Sequence, residues 1–354
     1  NSILTIVGKW FWLMITLLVL STSESASQYV RIDDPGKVYN LGRRFEVLNA
    51  PSDTPEITDL IRGIHDHSFE PTGQNIPKFS PGNVAVWCKI MVENQTEENI
   101  ILEIKNPDIE QLELYVVGDS GMIEQEIRTG NYKPVADRLI QHRFFYLPLE
   151  LSEGEINTIF LKCRTETPEL YLPLSMGTLT AFYQGDHLRN LMQGLFIGLI
   201  LFIFVYNFFL FLTLKKFEYL YFSLFVACMG LMFAVMNGYS FEYYWSEWAW
   251  LHRYIGLNAA MAGIFVILFT SFFLKSRFTA PRRHIWLLSL AGLYMVAIIL
   301  NLYGAVEVAI RFIEFNTGFT VIFLLFTSIT VLRQGYRPAL YYIISLSIFI
   351  IGFI

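Results

Sequence analysis

Three sets of side chains could carry chemistry in this sequence. Trp87, Trp245 and Trp248 could stack on the flat face of a sugar or an aromatic ligand, since an indole joins a large apolar ring to one polar edge. Trp87 falls in the middle of an apolar alternating stretch, which favours core burial. Trp245 and Trp248 belong to FEYYWSEWAWLHRY at 241–254, whose aromatic content favours anchoring at a membrane surface. The second set is Asn237, Arg253, Asn258, Asn301, Arg311, Glu314 and Asn316, charged or amide groups in or beside long apolar runs. Such groups are costly in lipid unless paired, so they mark either interhelical hydrogen bonds or a cluster that moves when a ligand binds. Arg311 and Glu314, three residues apart on one helical face, are expected to neutralise each other. In the third set, His65, Asp66 and His67 supply two imidazoles with no third ligand at a recognisable spacing, which predicts a solvated loop. No Ser/His/Asp triad, nucleotide loop or paired carboxylates are recognisable, and no catalytic, cofactor or metal residue is assigned.

The elements that must hold these residues belong to two solvents. Up to His187 there are 15 Lys/Arg against 26 Asp/Glu; from Leu188 onward there are 11 against 5, bunched between uncharged runs. Those runs cover 190–214, 219–241, 254–274, 285–306, 315–332 and 338–354. A span needs about 20 apolar residues to cross roughly 30 Å of hydrocarbon, so five helices and a sixth are expected to cross. Lys215, Lys216, Lys275, Arg277, Arg282, Arg283, Arg333 and Arg337 fall in alternate connections; the other set holds Arg189, Arg253 and Arg311. The positive-inside rule makes the first set cytoplasmic and puts the acidic first half outside. Gly194 and Gly198 form a GxxxG expected to admit a neighbouring helix, and Asn207 alone lies deep on the inner side. His187, Arg189 and Asn190 fall where the two halves meet.

The first half reads as strands. Residues 84–93, 100–105, 112–117, 144–149, 156–164 and 171–176 have strand length and β-branched or aromatic content, separated by turns such as PGN at 81–83 and GDSG at 118–121. This predicts an all-β jelly-roll sandwich, with one short helix near 56–62. Cys88 and Cys163 both sit in predicted strands; a disulfide between them needs Cα atoms within about 7 Å, which the sequence leaves open. Cys228 is expected to be inert packing. Lys9, the apolar stretch 10–20 and the small polar residues 21–27 have the layout of a signal peptide over 1–26. Asn1 is not an initiator methionine and 345–354 stop inside an apolar run, so the chain is expected to continue at both ends. A pI near 5.7 with no Lys/Arg-rich tract argues against nucleic acid as a partner.

LGRRFEVL at 41–48, VWCKIMVEN at 86–94, LELYV at 112–116, FFYLPLEL at 144–151 and LPLSM at 172–176 resemble the extracellular domain of bacterial seven-transmembrane receptors with diverse intracellular signalling modules. The stretch 194–225 and MNGYSFEYYW at 236–245 resemble the membrane part of the same family. The resemblance implies a carbohydrate-binding-like sensor over 28–182 and a receptor bundle over 188–354, cut within its sixth helix. It further implies a cytoplasmic output module after the bundle: a histidine kinase, diguanylate cyclase, phosphatase or DNA-binding module. The expected function is reception of an extracytoplasmic small molecule, with a polytopic transporter or membrane enzyme as the alternative. Expected partners are a small-molecule or carbohydrate ligand, the lipid bilayer and a second copy as a homodimer. The expected location is the bacterial inner membrane, with 28–187 outside.

Overall fold

The computed structural model describes residues 29–49, 55–79, 85–165, 169–244, 248, 251 and 254–353. The expected signal peptide, Trp245 and Arg253 lie outside them. Thirteen described strands precede the long helices: β1 (Val30–Ile32), β2 (Tyr39–Asn40), β3 (Glu46–Asn49), β4 (Glu70–Pro71), β5 (Lys78–Phe79), β6 (Val86–Asn94), β7 (Ile100–Ile104), β8 (Gln111–Val117), β9 (Ile123–Thr129), β10 (Phe145–Leu149), β11 (Ile156–Arg164), β12 (Leu170–Tyr171) and β13 (Leu174–Thr178). A seven-stranded sheet runs β4-β3-β6-β11-β8-β9, with β1 pairing parallel to β6; a four-stranded sheet runs β10-β7-β13-β2. Alternation sends Cys88, Ile90, Leu114, Ile159 and Leu161 from the large sheet against Leu102, Ile104, Leu147 and Met176 from the small one. That shared layer is the sandwich core.

The outer faces of the sheets are covered differently. On the large sheet, Trp87, Tyr115 and Phe160 form a second apolar cluster with Leu60 of α1 (Ile57–Ile61). Trp87 is 1% exposed there, so a ligand could stack on it only after α1 moved. Asp66, between the two histidines, pairs with Lys89 at 2.8 Å. Cys88 lies opposite Leu161 and Cys163 opposite Val86, so the two thiols are diagonal on neighbouring strands and remain free. Burial pushes both thiols up, leaving them protonated packing groups.

The membrane half consists of α2 (Leu179–Leu214), α3 (Phe217–Met236), α4 (Ile255–Phe273), the short α5 (Ser276–Thr279), α6 (Pro281–Leu302), α7 (Val306–Arg333) and α8 (Pro338–Phe353). Five of these, α2, α3, α4, α6 and α7, are long and apolar enough to cross a membrane; α8 is apolar but has 16 residues. On α7 the buried residues Ala309, Ile313, Asn316, Thr320, Leu324, Thr327 and Val331 recur at three or four positions, which gives one inward stripe. Phe217 touches Phe272, and Lys275 lies over Tyr336, so the basic connections gather at the bundle end away from the sandwich.

Close helix approach occurs at different glycines from those expected. A Cβ added at Gly194 or Gly198 would meet nothing within 4 Å among the described residues, so no described helix packs closely on the GxxxG. A Cβ at Gly230 would instead lie 2.7 Å from Ile200, and one at Gly263 would lie 2.3 Å from the ring of fully buried Tyr294. Gly263→Val should therefore lower the thermal midpoint of the detergent-solubilised chain, by overpacking worth about 1–3 kcal/mol. Gly194→Val should leave it unchanged; equal losses for both would show that the packing described here is wrong.

Candidate functional site

The polar groups with the densest connections lie where the sandwich meets the bundle. The last strand of the small sheet runs into the first membrane helix without a loop: Thr178 ends β13 and is the N-cap of α2. Its Oγ1 accepts the Ala181 N–H at 3.2 Å and donates to the Pro35 carbonyl at 2.7 Å, which anchors both the helix start and the sheet edge. At 36 residues α2 is about 54 Å long, well beyond the roughly 30 Å of a hydrocarbon core. The surplus lies on the sandwich. Phe182 packs on Ile101, Phe144 and Tyr146, so the outer face of the small sheet is covered by the first turns of the membrane helix itself.

Charges accumulate under this cover. Glu103, in the central part of the small sheet opposite Tyr146 and Ser175, is fully buried and paired with Lys105 at 3.1 Å. Burial raises its carboxyl pKa, and the Lys105 charge partly opposes this. Tyr146 donates its hydroxyl to Glu103 at 3.4 Å, and Asp186 of α2 pairs with Arg189 at 2.6 Å. The connection 130–144 adds His142 and Arg143, while Arg138 of the same connection lies 4.3 Å from the ring centre of Phe145, a residue of the core between the sheets. The His142 ring lies 4.0 Å from the Tyr146 ring, and Arg138 donates to the His142 carbonyl at 2.9 Å.

Arg143 carries the contact onward to the bundle. Its Nη2 donates to Asn190 Oδ1 of α2 at 2.7 Å, and its guanidinium sits 4.6 Å from the Tyr239 ring centre, beyond the end of α3. Tyr239 donates to Gln193 Oε1 at 2.5 Å, and Gln193 donates to Asn237 Oδ1 at 2.8 Å. Gly238 has φ 76°, and a Cβ there would lie 2.9 Å from the Arg143 carbonyl oxygen. Only glycine fits both the turn and the approach.

Of the residues singled out from sequence, Asn237 belongs to this joint, as do Arg189 and Asn190 at the boundary between the halves. Asn258 donates to the Cys228 carbonyl at 2.8 Å and Asn316 to the Leu290 carbonyl at 3.1 Å, so each joins one membrane helix to the next. Asn301 is buried with both amide atoms unpartnered, its Nδ2 3.0 Å from where a Cβ on Gly256 would stand. Arg311 pairs with Glu307 at 3.0 Å rather than with Glu314: the four-residue spacing aligns the two side chains, while Glu314 turns outward beside Phe315, Gly318 and Ile322. Trp248 is 59% exposed and takes no part in the joint. The sequence pattern does not single out Arg138, His142 and Arg143. The available signal was a basic cluster, RLIQHR at 138–143, within an otherwise acidic half.

Burial lowers the His142 pKa to about 4, with Arg143 as the next cause. The unfolded chain takes up that proton near pH 6.5 and the folded one only near pH 4. Stability from this group is therefore full above pH 6.5 and lost as pH falls towards 4, by on the order of 2 kcal/mol. His142→Phe keeps the ring contact with Tyr146 and should flatten this limb of a midpoint-against-pH curve. An unchanged slope in the variant would show that His142 does not set it.

Comparison with known proteins agrees with this division of the chain. The family model described as 7TMR-DISM extracellular 2 matches residues 42–188, and the one described as 7TM diverse intracellular signalling matches 189–354. No curated protein matches the chain. The boundary between the two matches falls inside α2, beside the Asp186–Arg189 pair. With the sandwich and the apolar helices in the order these models describe, the chain belongs to the 7TMR-DISM family of transmembrane sensory receptors.

Proposed function

We infer that the sandwich binds an extracytoplasmic small molecule, a carbohydrate by chemical class, and relays its presence through α2 to a cytoplasmic output module. The observation that carries this reading is the unbroken passage from β13 into α2 at Thr178. A strand held in a sheet and a helix held by its own ladder are both stiff, so a shift of the small sheet moves the helix as a lever. A flexible linker would absorb it. The Arg143–Asn190 hydrogen bond and the Gln193–Asn237 bridge spread the same displacement to α3.

The basic connections at the far end of the bundle support an outside sandwich and an inside output. Ligand binding drives such a relay only by binding one arrangement of the joint more tightly than the other. On the sandwich, the face around Trp87, Lys162 and Glu113 supports sugar recognition: Lys162 lies 5.4 Å from the Trp87 ring centre and 3.7 Å from Glu113. Opening that face requires α1 to lift from Trp87, and this movement gives the ligand two states to discriminate.

A glycan and small-molecule thermal-shift screen on the full chain in nanodiscs should yield a ligand. That ligand should change the spin-label distance between position 215 and a label on β9. Four glycines inserted between Thr178 and Leu179 should keep the thermal shift and abolish the distance change. A ligand that still changes the distance across the glycine insert would remove α2 as the route.

A further inference from the structure

Helix α7 carries a carboxylate on its outward side. Glu314 stands nineteen residues before Arg333, about 28 Å along the helix. With Arg333 at the inner surface, Glu314 sits at the outer edge of a hydrocarbon core roughly 30 Å thick. No cation among the described residues pairs with it, because Arg311 turns to Glu307 instead. An ionised group at that depth is costly unless it meets an opposite charge, and lipid tails supply none. Beside it, Phe315, Gly318, Phe319 and Ile322 line an open notch of about 470 Å³, and a Cβ at Gly318 would meet nothing within 4 Å. The two phenylalanines and Ile322 are all more than half exposed.

An apolar groove with charges at its outer end fits either an amine-headed phospholipid or a second helix, and the order of the charges separates the two. A phospholipid sets its phosphate next to the acyl chains and its ammonium farther out. On α7 the acid is the deeper group, since Glu314 lies three residues further along the helix from the outer end than Arg311. That order is reversed for a lipid headgroup and self-complementary for a second copy. A two-fold axis along the membrane normal brings each Arg311 opposite the other copy's Glu314, with a height difference of about 4.5 Å that an arginine side chain spans. Arg311 also has a donor to spare. Its Nε and Nη2 both donate to Glu307 Oε1, and Nη1 has no partner among the described residues. Below the charges, Phe315 of one copy can lie over Gly318 of the other. The outward faces of α2 and α6 over 190–214 and 285–302 hold no charged residue that would select a partner.

We propose that the outward face of α7 is a homodimer interface, in which Arg311 and Glu314 of two copies pair reciprocally and Gly318 lets the helices approach. Each copy then supplies the charge that the other's Glu314 lacks, and the phenylalanines leave lipid for protein contact. The interface concerns association alone, so it stands or fails independently of the relay proposed above.

The test uses the full chain in lipid vesicles. Its described cysteines are all buried, so a cysteine placed on the outward face reacts alone. Gly318→Cys and Ile322→Cys should give covalent dimers with a short bismaleimide, while Leu201→Cys on α2 and Leu293→Cys on α6 should not. Single-molecule photobleaching across a dilution series then reads the dimer fraction. Glu314→Arg should weaken association about tenfold or more, as the loss of interhelical polar contacts implies, and adding Arg311→Glu should restore it. Gly318→Ile should abolish dimers yet leave the thermal midpoint of the detergent-solubilised monomer unchanged, because the space beside Gly318 is open. No covalent dimer at position 318, equal yields at 201 or 293, undiminished association in Glu314→Arg, or no recovery in the double reversal would each overturn the assignment. A monomer whose position 318 is shielded only when phosphatidylethanolamine is present would give the groove to a lipid and overturn it as well.

Discussion

A helix entering lipid must keep every backbone hydrogen bond within itself, because the bilayer core offers no water to replace one. In this protein that rule extends outward, past the apolar residues, to Thr178 at the edge of a β-sheet. The small sheet, the first helix and the connection 130–144 are arranged around this continuity. The outer face of the sheet is dry because Phe182 covers it, and Glu103 is buried because Phe182 and Tyr146 close above it. Arg143 reaches Asn190 because α2 starts at the end of β13, which brings its early turns beside the connection 130–144.

The two faces of the sandwich are therefore unlike in what they permit. The large sheet carries a short five-residue helix over Trp87, packed through Leu60 on a cluster separate from the core between the sheets. The small sheet carries a membrane helix, which cannot lift without moving the bundle. A ligand acting at the first face and a displacement read at the second would be connected by the layer of Leu, Ile and Val between the sheets, whose close packing transmits strain.

Much of this was legible beforehand. The six apolar runs became α2, α3, α4, α6, α7 and α8, and five of the six anticipated strands appear within two residues of their expected starts. The sixth, expected over 171–176, divides into β12 and β13 around Leu172 and Pro173, and proline cannot continue a ladder. β9 is not legible in the sequence because IEQEIRT carries charge on its exposed side, and β1 to β5 are not because strands of two to four residues have too little alternation. Helix α2 begins eleven residues before its apolar run, at Leu179, since Gln184, Asp186 and His187 resemble a polar linker until Leu179 and Phe182 are seen against the sheet.

Composition and periodicity alone determined the division between a strand-rich acidic half and an apolar helical half, and the class of each. Those properties depend on runs of neighbouring residues, and transfer between solvents acts on runs. Which polar residues meet was decided only by the tertiary structure. Arg143 and Asn190 are 47 residues apart, and Gln193 and Asn237 are 44 apart. A hydrogen bond depends on distance and angle between side chains, and for residues so separated only the packed sheet and helices set those. For the same reason Arg311 found Glu307 rather than Glu314.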